Sequence, residues 1–168
     1  MKDARWNDVL ESLRISKRHF DLAADMFAEG RVRSSNEEGY ESVLAFLHAM
    51  QTGHGAFEDA LMRTLDILEE QPPTGADWHA LLLQRCAREL PGKRPPIFGV
   101  ELLAAAQETR GFRHIAMHVY DFTFDAQKAG RAVEAAKVLS ANAVARIMEF
   151  GSRMDPDEEP EPSDNPQP

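Results

Sequence analysis

Apolar residues recur at three- and four-residue spacing along most of the chain, and this periodicity constrains the fold more than any other feature. The first such run consists of Trp6, Val9, Leu10, Leu13, Phe20, Ala23, Ala24 and Phe27. The sequence contains no internal repeat and no convincing run in which apolar and polar residues alternate, the pattern of a half-buried strand. It therefore predicts an all-α protein, built as an antiparallel bundle of four or five helices with short loops.

Capping residues and glycine or proline breaks give the approximate bounds of these helices. Five helices are predicted, at about residues 4–29, 34–68, 77–89, 100–120 and 124–150. Within the second helix, Gly53-His54-Gly55 is expected to kink the chain or to split it before the apolar pattern resumes. Gly111 is expected to loosen the fourth helix midway.

The composition suits one domain with an acidic extension. A chain of 168 residues with 43% hydrophobic content is long enough to bury one core. Residues 1–151 are predicted to form the bundle and residues 152–168 a disordered, proline-rich acidic tail, because the stretch 155–162 lacks apolar side chains that could offset the ordering entropy. The net charge of -9 argues against binding nucleic acid through bulk positive charge, so any RNA contact must be local.

The location of the protein is predicted from what its sequence lacks. Cys86 is the single cysteine, so no intrachain disulfide can form, and it is expected to be a small buried side chain. Residues 1–5 are polar with no apolar signal core behind them, and no segment has the length of a membrane span. We therefore expect a soluble, cytoplasmic protein.

Residues suited to phosphate chemistry cluster near the end of the fourth predicted helix, as Arg113, His114, His118 and Tyr120. At about 100° per residue, Tyr120 lies roughly 20° from Arg113 around the helix and His118 roughly 140° from it, so Arg113 and His118 flank a groove. A guanidinium can neutralise a phosphate while an imidazole moves protons near neutral pH. This combination suits RNA cleavage by attack of the ribose 2′-hydroxyl, without a metal ion.

The spacing of Arg113, His118 and Tyr120 resembles the Arg-x4-His-x-Tyr signature of the HepT toxins in the HEPN superfamily. His114 fits the position after the arginine, which is often polar in that superfamily. The similarity covers most of the helical body, with flanking matches at residues 77–79, 91–95 and 110–120.

The resemblance implies an endoribonuclease toxin of a type II or type VII-like pair, with a nucleotidyltransferase as its antitoxin and an RNA such as tRNA as its substrate. It implies a homodimer in which the two motif helices face one another and form a composite cleft. Arg113 and His118 are then catalytic, and His114 supports them. The antitoxin is expected to transfer AMP to Tyr120, and neither a metal ion nor another cofactor is expected.

Three basic residues near the motif in sequence are candidates for RNA contact: Arg110, Lys128 and Arg131. Solvated helix faces carry the same kinds of residues, so a purely surface role is the alternative for each of them.

Less specific interpretations of the motif also stay open. Arg113 can be an ordinary surface charge and His118 a satisfied histidine at a helix seam, and the chain is then a non-catalytic adaptor that binds a nucleotidyltransferase. The four-residue spacing of His114 and His118 also allows a zinc site, although no third ligand follows nearby.

Residues outside the motif receive no catalytic assignment. His54 is expected to be an exposed loop histidine, and Trp78 to be a core residue or a hydrophobic staple at the start of the third helix. His79 carries no assigned role.

Overall fold

The computed structural model describes residues 1–32, 37–116 and 126–156, and for residues 37, 38, 114–116 and 126 it describes the backbone alone. The described residues form five helices: α1 (Trp6–Ala28), α2 (Glu37–Ile67), α3 (Trp78–Ala87), α4 (Val100–Ala116) and α5 (Ala126–Met154). No strand occurs in these ranges, so the predicted all-α fold is confirmed. Among the helices described, none combines the length and the apolar composition that crossing a membrane requires.

The four long helices form a ring around one core. Helix α1 packs against α2 and α5, α4 packs against α5 and α2, and the short α3 lies against α2 and α4. Helix α1 is antiparallel to α2, because Ser16 Oγ donates to the Gly53 carbonyl at 2.8 Å while Ser12 Oγ donates to Asp59 Oδ2 at 2.6 Å. The largest side chains excluded from water include Trp6, Phe20, Phe46, Phe57 and Met26, and their burial supplies the main stabilising term of the fold.

Helix α2 runs without interruption through Gly53, so the predicted split at this point is wrong. A Cβ atom at Gly53 would lie 2.8 Å from Cδ1 and 2.9 Å from Cε1 of Phe20. The glycine therefore permits a close approach of α1 to α2, and does not break the helix. Gly111 likewise lies inside a continuous α4, which makes the expected loosening wrong as well.

Helix α5 is longer than predicted, since it ends at Met154 and not near residue 150. Ser152 Oγ donates to the Met148 carbonyl at 3.1 Å, and Arg153 pairs with Glu149 one turn earlier. Residues 152–154, assigned to the tail from the sequence, are therefore helical. Residues 157–168 and the predicted start of the second helix at residues 34–36 lie outside the described residues.

A buried ion pair fixes the connection between α3 and α4. The side chain of Arg94 is 1% exposed, and its Nε donates to Glu70 Oε1 at 2.5 Å. Its terminal nitrogens donate to the backbone carbonyls of Arg85, Arg88 and Pro95. These bonds hold the loop against the end of α2, and so help to set where α3 ends.

Candidate functional site

Arg113, the first residue of the predicted motif, contacts a polar cluster enclosed by α2, α3 and α4. Its Nη1 donates to Oε2 of Glu58 at 3.2 Å. The side chain of Glu58 is 4% exposed and that of Arg113 is 30% exposed, so the arginine reaches from solvent to a buried carboxylate. Arg113 is thus anchored at its tip, and is not a freely solvated surface charge.

His79, in the first turn of α3, contacts the same carboxylate. Since an ionised carboxylate only accepts hydrogen bonds, Nδ1 of His79 is the donor to Oε1 of Glu58, at 2.7 Å. The Trp78 ring stacks on the imidazole with the ring centroids 3.6 Å apart. Nη1 of Arg113 lies 3.3 Å from Nδ1 and 3.5 Å from Nε2 of the same ring. His79, which the sequence left unassigned, therefore lies directly beside the motif arginine.

His54 approaches Glu58 from the interior of the bundle. It is fully buried on α2, so the expectation of an exposed loop histidine is wrong, because the uninterrupted helix turns this position inward toward α4. The Thr109 hydroxyl donates to the Ala106 carbonyl at 3.1 Å, and its oxygen therefore accepts from Nδ1 of His54 at 2.9 Å. Nε2 of His54 lies 3.1 Å from Glu58 Oε1 but outside hydrogen-bonding geometry.

These neighbours determine the charge state of Glu58. Burial raises the pKa of its carboxyl, but the interactions with His54 and His79 outweigh burial, and the pKa lies below its ordinary value. Glu58 is therefore a carboxylate at neutral pH. It joins α2 to His79 on α3 and to Arg113 on α4, and His54 lies beside it on α2.

The remaining catalytic candidates have no described side chain. His118 and Tyr120 lie outside the described residues, and for His114 the structure gives the helical backbone alone. Within the described part of the chain, no three His, Cys, Asp or Glu side chains are grouped so that they could hold a metal ion.

The three candidate RNA contacts are not brought together. Lys128 and Arg131, near the start of α5, line a shallow cavity of about 190 Å³ against α4. Nε of Arg131 lies 3.6 Å from Oε1 of Glu108 across it. Arg110 does not line this cavity, and its Nε is buried without a hydrogen-bond partner among the described residues.

Sequence reasoning missed Glu58 and His79 as members of the site. Two signals were present: His54 and Glu58 stand one helical turn apart, and His79 lies in a flanking segment that carried the family resemblance. Neither signal indicates which residues meet in space, because Glu58 is 21 positions from His79 and 55 from Arg113.

Comparison with known protein families assigns the chain to one of them. The family model described as HepT-like protein matches residues 45–154, which is more than half of the sequence. The chain belongs to the HepT-like family. The resemblance to this family within the HEPN superfamily is thereby confirmed.

The matched range of this HepT-like protein contains every member of the polar cluster. It begins within α2 and ends at the last residue of α5, so α3, α4 and the part of α2 that carries His54 and Glu58 fall inside the family match. The sequence matches no curated protein and no solved structure.

Proposed function

We propose that this HepT-like protein is a metal-independent endoribonuclease, the toxin of a type II or type VII-like pair with a nucleotidyltransferase antitoxin. The observation that carries the proposal is the placement of Arg113. The described residues contact its guanidinium through Nη1, while the side chain stays 30% exposed. Nε and Nη2 can then engage a phosphate, and the buried Glu58 holds the planar group in position for it.

The reaction follows from the chemistry of Arg113 and His118. The ribose 2′-oxygen attacks the adjacent phosphorus, the O2′–P bond forms and the P–O5′ bond breaks. Arg113 stabilises the charge that develops on the phosphoryl oxygens, and His118 assists the proton transfer. The products are a 2′,3′-cyclic phosphate and a 5′-hydroxyl end. DNA lacks the attacking hydroxyl, so the substrate is RNA, and tRNA is the RNA that we propose.

The assembly that we propose is a homodimer in which two copies of α4 face each other. Each copy contributes an Arg113 and a His118 to a composite cleft, with His114 in support. Lys128 and Arg131 would contact the RNA backbone, since both line the cavity beside α4. Arg110 is a weaker candidate, because its Nε is buried.

The experiment compares tRNA cleavage in the presence of a chelator by the wild type, Arg113→Ala, His118→Ala and Arg14→Ala. Arg14 is the matched control, an exposed arginine on α1 whose Nη1 lies 3.9 Å from Oε2 of Glu11. We expect Arg113→Ala and His118→Ala to lose activity by a factor of about 100 or more, and Arg14→Ala to cleave normally. Undiminished cleavage by both motif variants would refute the assignment.

A second candidate function is a non-catalytic adaptor for a nucleotidyltransferase. The observation in its favour is the ion pair between Arg113 and Glu58, which gives the arginine a structural partner. An adaptor leaves RNA intact in the same assay and does not harm cells when it is expressed alone. A nuclease toxin cleaves RNA and arrests growth.

Regulation by AMP transfer to Tyr120 is a separate part of the proposal. We expect the intact mass to increase by that of an AMP group after incubation with the partner nucleotidyltransferase and ATP. Tyr120→Phe should show no increase. An equal increase on this variant would place the modification elsewhere.

A further inference from the structure

We propose that His79 is a second proton-transfer residue of this site, acting as the general base that takes the proton from the ribose 2′-hydroxyl. The inference rests on the proposed endoribonuclease function and names the residue that activates its nucleophile. His79 lies in the first turn of α3, is 27% exposed and contacts Arg113, so it lies at the solvent-facing side of the cluster.

The hydrogen bond to Glu58 orients the imidazole for this task. Nδ1 donates to the buried carboxylate at 2.7 Å, which leaves the lone pair of the neutral ring on Nε2, in a long 3.5 Å contact with Nη1 of Arg113 that a bound 2′-hydroxyl displaces. When Nε2 takes up a proton, the carboxylate stabilises the imidazolium that forms. Stacking by Trp78, with centroids 3.6 Å apart, further restricts the plane of the ring.

Two histidines contact Glu58, and only one of them can meet a substrate. His54 is fully buried and donates through Nδ1 to Thr109, so it cannot reach a substrate. His79 reaches solvent, and Nη1 of Arg113 lies 3.5 Å from its Nε2. A phosphodiester held by Arg113 therefore has its neighbouring ribose next to His79.

The step balances with two separate proton carriers. Nε2 of His79 accepts the 2′-hydroxyl proton as O2′ bonds to phosphorus, and His118 gives a proton to O5′ as the P–O5′ bond breaks. His79 then releases its proton to water, and His118 takes one up. This division gives His118 the part of general acid and leaves Arg113 to neutralise the phosphoryl oxygens.

The first test uses His79→Asn, whose amide nitrogen keeps a donor toward Glu58 but cannot act as a base. His48→Ala is the matched control, an exposed histidine on α2. We expect His79→Asn to lose about 100- to 10,000-fold in kcat/KM for RNA cleavage in chelator, with an unchanged Tm. The acid limb of its pH–rate profile should disappear. The control should match the wild type in both respects.

The second test separates base from acid with an RNA that carries a bridging 5′-sulfur at the cleavage site. A thiolate leaves without protonation, so this substrate needs no general acid and should restore cleavage by His118→Ala. It still needs a base for the 2′-hydroxyl, so it should not restore cleavage by His79→Asn. Restored cleavage by His79→Asn would show that His79 is not the base. If His79→Asn does not fold, His79→Gly with added imidazole replaces it, where recovery of cleavage supports the proposal and no recovery overturns it.

The outcomes distinguish this inference from the function on which it rests. If the wild type cleaves RNA and His79→Asn cleaves as well as His48→Ala, the role of His79 is overturned and the nuclease stands. If the wild type does not cleave RNA, both are overturned.

Discussion

Oε1 of Glu58 accepts a hydrogen bond from Nδ1 of His79 across 2.7 Å, and this bond joins the middle of α2 to the start of α3. The other carboxylate oxygen accepts from Arg113 on α4 at 3.2 Å. One buried charge therefore holds together the three helices around the candidate site. Such a charge stabilises a fold only while its partners are in place, because an unpaired buried carboxylate is costly.

Glu58→Gln is expected to destabilise the protein by about 3 kcal/mol at neutral pH. Because the pKa of Glu58 is lowered in the folded state, its stabilising contribution is fully present above the ordinary value of 4.5 and is lost as the pH falls through the folded pKa. The difference between wild type and variant should therefore shrink in acid. Urea unfolding at a series of pH values measures it.

The control for Glu58 is its neighbour Asp59. This side chain is about half exposed and pairs with Arg63 at 2.8 Å, and an asparagine oxygen in its place can still accept the hydrogen bond from Ser12. Asp59→Asn should cost less than about 1 kcal/mol, as exposed ion pairs do. A Glu58→Gln effect that is as small as this, or one that does not change with pH, would contradict the role of Glu58 in holding the three helices together.

Gly53→Ala and Gly55→Ala should have opposite effects, although both positions lie on α2. A methyl group at Gly53 meets the Phe20 ring at 2.8 Å, so we expect a loss of about 1–3 kcal/mol. At Gly55 nothing lies within 4 Å, and the better helix former should add about 0.5–1 kcal/mol. Chemical denaturation of both variants measures the change in the free energy of unfolding. An equal change in the two would argue against the close packing of α1 on α2.

Arg94→Met should destabilise the protein by roughly 3 kcal/mol, because it removes the main partner of the buried Glu70 carboxylate. Lys93→Met, an exposed neighbour, is the control and should be nearly neutral. Thermal unfolding gives the stability, and limited proteolysis reports opening of the loop between α3 and α4. If Arg94→Met leaves both measurements unchanged, the ion pair with Glu70 does not hold this loop in place.

Cys86 should react with Ellman's reagent more than about 100-fold more slowly than a free thiol at neutral pH. Burial raises the pKa of its thiol to about 12, and the side chain is excluded from solvent. In urea the reaction should become fast, because unfolding exposes the thiol. Rapid labelling of the native protein would mean that α3 does not pack as described.

Part of this fold could be predicted from local patterns alone. The periodicity of apolar residues placed α1, α3 and α4 close to their observed starts, and Arg113 was singled out by its spacing from His118 and Tyr120. The family followed from the same spacing and from the flanking segments. Each of these features depends on residues within a few turns of one another, so sequence neighbours suffice to show them.

Tertiary packing decided the continuity of α2 and the composition of the candidate site. The segment Gly53-His54-Gly55 was predicted to kink or split α2 because glycine weakens an isolated helix, yet contact with Phe20 makes glycine the residue that fits at position 53. Polar residues such as His54 and Glu58 are buried because other helices bring Thr109, His79 and Arg113 to meet them. Helical phase shows which way a side chain points, but the partners that make its burial favourable come from distant parts of the chain.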